Sequence, residues 1–474
     1  MAPKHKHNDS LDPLTLAMAP PPNETSEQRA KREREEAEAL QVSRRIDAEL
    51  KLAKIALKKR KDAVQVLVLG QSMSGKSTTI KNFQMTYAQK AWSEERASWR
   101  AVILLNLVKS VTTVVDILSE TMESAELLTT ESQGSGKKAQ PLTPLNENHR
   151  NIIRRLGVLR QIERDLKMLL GSGASEVEDP NEGGDNGPQF NPSRIQEFAV
   201  RSSSGWKDIL DRIRNPSQGK ESEAQRKAFQ VISSCRDDIL LMWNDKSVRS
   251  VLKNREASLE DSPGFFLNDI DRILSPNYEP SDRDIVRARL RTTGVQEYTF
   301  TLDRGNHTAV DWIIYDVAGV RTSRAAWIPY FKEITALIFL APLSSFDETL
   351  AEDPRINRLE DTFMLWKTVC SNKLLAKVQI ILFMNKTDIL KKKLESGIQV
   401  NQHIPEFRDK SNDYDTVANW FKKLFKRLYF ANTTPGREFI SHFTSVVNTE
   451  ATSQTLAAVQ GAILRSDFVN TGLL

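Results

Sequence analysis

Cysteine is scarce in this chain. Among its 474 residues only Cys235 and Cys370 occur, which is too few for a disulfide framework or a cysteine-based metal site. Two isolated thiols are typical of a reducing compartment, so we expect an intracellular protein.

Long apolar stretches are missing as well. No run approaches the roughly 20 apolar residues that cross a bilayer as a helix. The first seven residues, MAPKHKH, are polar and basic, so they do not form the apolar centre of a signal peptide. We therefore expect a protein that does not span a membrane.

Net charge is small for the length. The chain has 67 Lys and Arg residues against 62 Asp and Glu, a formal charge of +5. Non-specific binding to nucleic acid needs a dense basic face. The near balance of positive and negative charges therefore argues against that function. Hydrophobic residues make up 39% and charged residues 27%, as in an ordinary soluble protein, and the length predicts two or three domains.

The most informative stretch is Gly70–Ser77, GQSMSGKS. It follows the apolar run Val64–Leu69 and precedes a predicted helix near Thr78, and its GxxxxGKS spacing is that of a phosphate-binding loop. Backbone N–H groups of such a loop surround a phosphate, while Lys76 reaches the β- and γ-phosphates and Ser77 ligates Mg²⁺. The alternative is a Gly/Ser turn that matches by chance. We expect the nucleotide to be bound by Gly70, Ser74, Gly75, Lys76, Ser77 and Thr78.

Composition and periodicity divide the first part of the chain. Residues 1–22 are Pro-rich and predict a disordered tail. Residues 23–61 are dense in helix formers with a thin apolar stripe, which is typical of an exposed helix that docks on a partner or is merely solvated. Residues 91–280 carry helical periodicity, interrupted by polar loops near 127–148 and 171–193 that we expect to be disordered. The predicted helices of this block cover residues 99–118, 149–171, 194–215 and 221–254.

Predicted strands lie on both sides of the helical block. After it, Val295–Leu302 and Ala309–Tyr315 predict a hairpin, while Ala336–Ala341 and Val378–Met384 are continuous apolar runs typical of central parallel strands. Residues 62–90 and 281–474 are therefore predicted to form one α/β domain, which ends in a helix from Thr452 to Asn470 and into which the helical block is inserted.

Two stretches follow predicted strands at positions that suit a guanine-nucleotide site. Asp316 ends one strand, where it can hold Mg²⁺ through water, and the Gly319 N–H can contact the γ-phosphate. Asn385-Lys386-Thr387-Asp388 follows another strand, and the Asp388 carboxylate can accept both N–H donors of the guanine edge, a pairing that adenine cannot make. The residues predicted here to bind nucleotide are Gly319, Asn385, Lys386 and Asp388.

Two further stretches complete the predicted site. Ser445 and Val446 can present backbone N–H groups to the guanine oxygen. In RLRTTG, residues 289–294, Thr292 can complete the Mg²⁺ shell and Arg289 can stabilise charge on the transferring phosphoryl group. We therefore expect GTP or GDP with Mg²⁺, and the predicted metal-holding residues are Ser77, Thr292 and, via water, Asp316.

These residues together resemble the α subunit of a heterotrimeric G protein, from about Asn23 to Leu474. The most specific stretch, Tyr278–Gly294, is similar to the linker into switch I of that family. Further similarity lies at the end of the helical block, at switch III and at the C-terminus, in Trp243–Asp245, Leu259–Leu267, Phe346–Asp353 and Thr471–Leu474.

The resemblance implies a Ras-like phosphate-loop GTPase domain with an inserted all-helical domain that closes over GTP, and an N-terminal helix. It implies that Arg289 is a built-in arginine finger and that Asp261 and Ser262 also bind nucleotide. It further implies a βγ dimer docked on helix 23–61, a G protein-coupled receptor and a downstream effector. The implied location is the cytoplasm and the cytoplasmic face of the plasma membrane.

Two departures from the family pattern concern hydrolysis. Where the family has a Gln that orients the attacking water, this chain has Val320, whose side chain has neither donor nor acceptor. Where the family has Gly-Glu, it has Ser72-Met73, which places a side chain beside the γ-phosphate and removes a carboxylate partner of Arg289. We expect slow GTP hydrolysis and a long-lived GTP state; the alternative is that switch II repacks and another group holds the water.

The third departure concerns lipid anchors. Ala2 stands where the family is commonly myristoylated, and no cysteine precedes Cys235 for palmitoylation. We therefore expect peripheral membrane association without N-terminal lipidation, through βγ or basic residues such as Lys58–Lys61, and a cytosolic fraction.

Two other functions fit parts of the sequence. A pseudo-GTPase would act as an interaction protein that binds nucleotide constitutively or not at all; Lys76, Ser77 and Asp388 favour binding, while Val320 leaves catalysis open. An ATP-using phosphate-loop enzyme is disfavoured by the Asn385–Asp388 motif.

Overall fold

The structure, a computed structural model, describes most but not all of the chain. The described residues are 25–132, 145–170, 199–201, 220–255, 259–260, 262, 264–293, 295–303, 309–319, 321–350 and 353–470. They fall into two compact units, which divide between Ala63 and Val64.

The first unit is one long helix, α1 (Ser26–Asp62), as the sequence predicts. It begins with a capping box in which the Thr25 and Gln28 side chains each accept a backbone N–H of the other. Its charged faces pair within the helix, as in Arg29 with Glu33 at 2.8 Å. The apolar stripe is exposed along its length, at Leu40, Val42, Ile46, Leu50, Leu52, Ile55 and Leu57.

The second unit is built on a sheet. Its strands, with those of a small separate ribbon, are β1 (Val64–Gly70), β2 (Ala199–Arg201), β3 (Arg291–Thr293), β4 (Val295–Asp303), β5 (Ala309–Val317), β6 (Ala336–Pro342), β7 (Gln379–Asn385) and β8 (Ile440–Phe443). The main sheet has the order β4-β5-β1-β6-β7-β8. Only β4 and β5 pair in antiparallel fashion; the other neighbours are parallel. The predicted hairpin and central parallel strands are confirmed, although the tip of the hairpin lies outside the described residues.

Helices flank this sheet and fill the inserted block. The α-helices of the second unit are α2 (Lys76–Tyr87), α3 (Gln89–Glu95), α4 (Trp99–Ser132), α5 (Glu147–Leu156), α6 (Leu159–Leu170), α7 (Lys220–Ser234), α8 (Arg236–Asn244), α9 (Lys246–Asn254), α10 (Ile270–Ile273), α11 (Asp282–Arg287), α12 (Arg358–Ser371), α13 (Thr387–Glu395), α14 (Val400–His403), α15 (Tyr414–Asn432) and α16 (Thr449–Asn470). Short 3₁₀ segments cover Arg96–Ser98, Leu267–Asp269, Arg321–Lys332, Leu343–Asp347, Lys373–Leu375 and Pro405–Phe407.

Alternate residues of the buried strands face opposite layers, as the strand period requires. On one face Val66 and Ile338 join a core with Phe83 of α2 and Leu456 of α16. On the other face the ring of Phe339 lies 5.0 Å from Trp366 of α12, whose indole N–H donates to the Phe425 carbonyl of α15. Because both faces are covered, the central strands are mostly apolar, although β1 also contains the buried Gln65.

The inserted block packs around α4. The apolar residues that predicted this helix, from Trp99 to Leu118, are buried in one core with α6, α7 and α11. Residues Gln89–Ala125 are also long and apolar enough to cross a membrane, contrary to the expectation from the sequence, but 72% of the most apolar window is buried inside the protein. The packing accounts for this window, since a helix covered on all sides has no polar face.

One predicted helix of the block is wrong where it can be checked. Residues 199–201, inside the predicted helix 194–215, form β2, which pairs in parallel with β3 through Val200 and Thr292. Pairing with a distant segment outweighs local helical preference here. The rest of 194–215 lies outside the described residues, as do most of the loop at 127–148 and all of the loop at 171–193.

Candidate functional site

The phosphate loop connects β1 to α2. Gly75 has a φ of 103°, and a Cβ there would overlap the Asn385 side-chain nitrogen, so only glycine fits. Lys76, the first residue of α2, is buried and donates to the carbonyls of Gly70 at 3.0 Å and Gln71 at 2.7 Å. The loop thus encloses an ammonium group at the carboxyl end of the central strand.

A pair of oxygen ligands lies beside this lysine. The Ser77 hydroxyl donates to Oδ2 of Asp316 at 2.6 Å, and Asp316 is fully buried near the end of β5. Serine and carboxylate oxygens are hard donors of the kind that Mg²⁺ prefers. The nearby Ser74 hydroxyl is buried and has no hydrogen-bond partner among the described residues. The donor set therefore fits a small divalent cation with a polar ligand above the loop.

The segment after β5 packs directly on the loop. The Ser72 N–H donates to the Gly319 carbonyl at 3.1 Å, and a Cβ on Gly319 would overlap Lys76 Nζ and the loop backbone. The buried Trp327 indole donates to the Ala318 carbonyl at 3.0 Å. Movement of the segment that begins at Gly319 is therefore coupled both to the loop and to a tryptophan.

Asn385 connects three loops at this edge of the sheet. Its amide nitrogen donates to the Ser74 carbonyl at 2.7 Å, while its oxygen accepts from the Thr444 hydroxyl and the Val446 N–H, each at 3.2 Å. The next residue, Lys386, has a left-handed φ of 61°, and Asp388 lies in the first turn of α13. Asn385 thus holds the loop of Ser445 and Val446 against the phosphate loop.

Cations dominate the site. Burial, together with the charges of nearby arginines and only partly offset by Asp316 or Glu348, lowers the pKa of Lys76 and that of Lys386 to about 8 each. Burial alone would raise the pKa of Glu348, but Arg358, Lys386 and Lys393 lower it to about 2. An excess of positive charge at a loop rich in N–H donors suits a polyanion such as a polyphosphate.

Four residues that the sequence analysis did not single out connect these parts. The buried Gln71 side chain donates to the Arg358 carbonyl at 2.9 Å and to Asp361. Arg324 of the segment after Gly319 donates to Asp361 as well, and Arg358 donates to the Ser72 carbonyl. No motif links these residues, since 290 positions separate Gln71 from Asp361.

The structure places the other predicted residues as follows. Thr78 lies in the first turn of α2 and Thr292 in β3. The Ser262 N–H donates to the Leu259 carbonyl, and the Ser445 carbonyl accepts the Asn448 N–H. Asp261 and Val320 lie outside the described residues.

The fold and the site agree with one family. The family model described as the G-protein alpha subunit matches residues 40–463. The chain belongs to this family. It is a guanine-nucleotide-binding α subunit of a heterotrimeric G protein, and members of the family are GTPases.

Similar curated proteins carry the same description. A guanine nucleotide-binding protein alpha-4 subunit of Mycosarcoma maydis is 29% identical and covers 98% of this chain and 96% of its own length. An alpha-2 subunit of Neurospora crassa is 27% identical over 91% of this chain and 95% of its own length. A subunit alpha of Coprinellus congregatus is 27% identical over 87% and 91%. The similarity to these three curated α subunits therefore extends over 87–98% of the chain.

We predict that Gly319→Ala weakens binding of a non-hydrolysable GTP analogue by about tenfold or more. The added methyl group must push the segment after β5 away from the phosphate loop, and such overpacking costs about 1–3 kcal/mol. Binding is measured by equilibrium titration. Gly436→Ala is the control for a replaced glycine away from the site: its φ of 84° strains an alanine locally, but a Cβ there meets nothing within 4 Å, so the affinity for the analogue should not change. Equal affinities for Gly319→Ala and the control would contradict the close contact.

Lys81 ties α2 to the segment before Arg289. Its buried ammonium donates to the Ile285 carbonyl at 2.9 Å and the Ala288 carbonyl at 2.6 Å, and lies 4.3 Å from the centre of the Trp99 ring. Burial, only partly offset by the charge of Asp316, lowers its pKa to about 7.

This lysine predicts a pH dependence of stability. Between pH 7 and 10 the unfolded chain binds a proton at Lys81 that the folded protein has lost, so folding becomes more favourable as pH rises. Relative to Lys81→Met, the unfolding free energy of the wild type should gain up to about 1.4 kcal/mol per pH unit from pH 7 to 9. Urea unfolding at several pH values measures this difference, and the exposed Lys90→Met provides the control. Parallel pH profiles of wild type and Lys81→Met would refute it.

Proposed function

We propose that this α subunit is a GTP/GDP switch with slow intrinsic hydrolysis that transduces signals from membrane receptors. The observation that carries the proposal is the cluster formed by Lys76, Ser77 and Asp316 at the end of the sheet. It joins a buried ammonium to a serine–carboxylate pair 2.6 Å apart, within a cationic surround. The same residues serve phosphate and metal binding in phosphate-loop GTPases.

Mg²⁺ is part of this proposal. Ser77 and Thr292 would hold the ion directly, and Asp316 through water. When bound, the ion neutralises charge on the β- and γ-phosphates. Gly70, Ser74, Gly75, Lys76 and Thr78 would surround the phosphates, and the Gly319 N–H would contact the γ-phosphate.

The base would be held by the loops at the carboxyl ends of β7 and β8. Asp388 accepts the two N–H donors of the guanine edge, with Asn385 and Lys386 fixing its loop. Ser445 and Val446 line the guanine oxygen, and Asp261 and Ser262 of the helical block complete the enclosure. Selectivity follows because adenine leaves the Asp388 acceptors unpaired.

Hydrolysis would depend on Arg289 and be limited at Val320. The Arg289 guanidinium would stabilise charge on the transferring phosphoryl group. An arginine finger accelerates phosphoryl transfer by roughly 10³–10⁵, but valine cannot orient the attacking water. The GTP state is therefore long-lived.

The proposed partners follow from the family and from α1. A G-protein βγ dimer would cover the exposed apolar stripe of α1 (Leu40 to Leu57). The other proposed partners of the switch are a G protein-coupled receptor and a downstream effector. The proposed location is the cytoplasm and the cytoplasmic face of the plasma membrane, where the protein associates peripherally.

We predict that Val320→Gln accelerates hydrolysis at least tenfold, because glutamine can orient the water that valine cannot. The protein is preloaded with GTP, hydrolysis is started by adding Mg²⁺, and the formation of GDP is followed over a single turnover. Arg289→Ala in the Val320→Gln background should return the rate to the slow level, and ATP should fail to compete for loading.

Each outcome of this experiment is informative. Ordinary hydrolysis by the wild type, with no gain in Val320→Gln, would show that another residue holds the water. Failure to load GTP would instead favour an interaction protein that has lost nucleotide binding.

A further inference from the structure

The backbone of Arg289 is bracketed by one side chain of the inserted helical block. Asn106, on α4, accepts the Arg289 N–H at 2.6 Å and donates its amide to the Arg289 carbonyl at 3.0 Å. Asn106 is only 8% exposed. The two hydrogen bonds engage both polar groups of the residue's main chain, which fixes the peptide planes on either side of it.

The surrounding contacts leave this bracket little freedom. Gly264 lies so close that a Cβ would come within 2.9 Å of the Asn106 oxygen and 3.0 Å of the Arg289 Cβ. The Gly264 N–H also donates to the Arg287 carbonyl at 3.0 Å. Arg287 in turn donates to Asp269 at 2.9 Å and to the Phe265 carbonyl at 2.8 Å. Several elements of the helical block therefore contact residues 287–289 and restrict their movement.

The chemistry of the bracket is specific to a carboxamide. Asn106 lies among buried apolar residues of α4 such as Ile103 and Leu107, where a polar side chain is costly unless both its donor and its acceptor are satisfied. An aspartate would present acceptors to a carbonyl, and a leucine would leave the Arg289 N–H and carbonyl without these partners. Only asparagine at this length supplies one donor and one acceptor together.

We propose that Asn106 is a positioning residue for the arginine finger, through which the inserted helical block sets where the Arg289 guanidinium stands. This inference rests on the proposed function, in which Arg289 stabilises the transferring phosphoryl group. The simpler alternative is that Asn106 only satisfies buried backbone groups and contributes to stability alone.

A double-mutant cycle separates these roles. Single-turnover GTP hydrolysis is measured for Asn106→Ala, Arg289→Ala and the double variant, in the wild type and in the Val320→Gln background. A displacement of about 1 Å at a reacting group can cost on the order of 10²-fold, so we expect Asn106→Ala to slow hydrolysis by roughly 10- to 100-fold when Arg289 is present. In the Arg289→Ala background the same change should have less than a twofold effect.

Matched variants control for folding and for chemistry. Thr113→Val lies on the same helix and removes a hydroxyl that, among the described residues, donates to the Lys109 carbonyl alone, so it should leave the rate unchanged. Asn106→Asp keeps the acceptor for the Arg289 N–H but opposes a carboxylate to the Arg289 carbonyl, so it should be as slow as Asn106→Ala. Equal slowing by Asn106→Ala in both Arg289 backgrounds, or wild-type hydrolysis by Asn106→Asp, would overturn the positioning role.

Hydrogen exchange gives a readout that does not depend on catalysis. In Asn106→Ala bound to GDP, the amide of Arg289 should exchange at least tenfold faster than in the wild type, while amides of β1 and β6 keep their protection. Unchanged exchange at Arg289 would overturn the bracket. If Arg289→Ala itself leaves hydrolysis unaltered, the catalytic part of the proposed function fails and the positioning role with it, and exchange then reports only whether the bracket exists.

Discussion

The burial of charge at the carboxyl end of the central strands is the constraint on which the site depends. A lysine ammonium and an aspartate carboxylate are both enclosed there, and each must be satisfied by fixed dipoles or counter-charges. The phosphate loop does this for Lys76 with two carbonyls, and Ser77 does it for Asp316. Because the loop must close around the lysine, the glycine at 75, the strand before it and the helix after it are all required together.

The elements that carry this constraint are local in sequence, and they could be predicted. Residue spacing or periodicity within a short stretch of sequence predicts each of them: the phosphate loop, the apolar strands and the apolar stripe of α4. Contacts between distant segments could not be predicted in this way. Gln71 meets Asp361, Asn106 meets Arg289, and residues 199–201 pair with β3 only because the fold brings them together. Side-chain amides that bond to backbone have no sequence signature, since any buried asparagine or glutamine can do so.

The inserted block is more than a cover for the nucleotide site. Its longest helix supplies Asn106, and its last turns supply Gly264 and Asp269, all of which hold the segment that leads to Arg289. Lys81 holds the same segment from the GTPase side through the carbonyls of Ile285 and Ala288. The position of Arg289 is therefore determined by both the helical block and the GTPase domain. A change in the packing of either one is expected to move this residue.

The phosphate loop departs from the family pattern at Ser72-Met73, but contacts with neighbouring residues fix its conformation. Met73 has a φ of 61°, a conformation that costs a non-glycine residue roughly 1–3 kcal/mol. The neighbouring residues are held firmly enough to impose it: Arg358 bonds the Ser72 carbonyl, and Gln71 bonds α12 through Asp361 and the Arg358 carbonyl. Contacts to α12 thus fix the conformation of the loop. We therefore attribute the proposed slow hydrolysis to the replacement of the water-orienting side chain by Val320 rather than to a change in the shape of the phosphate loop.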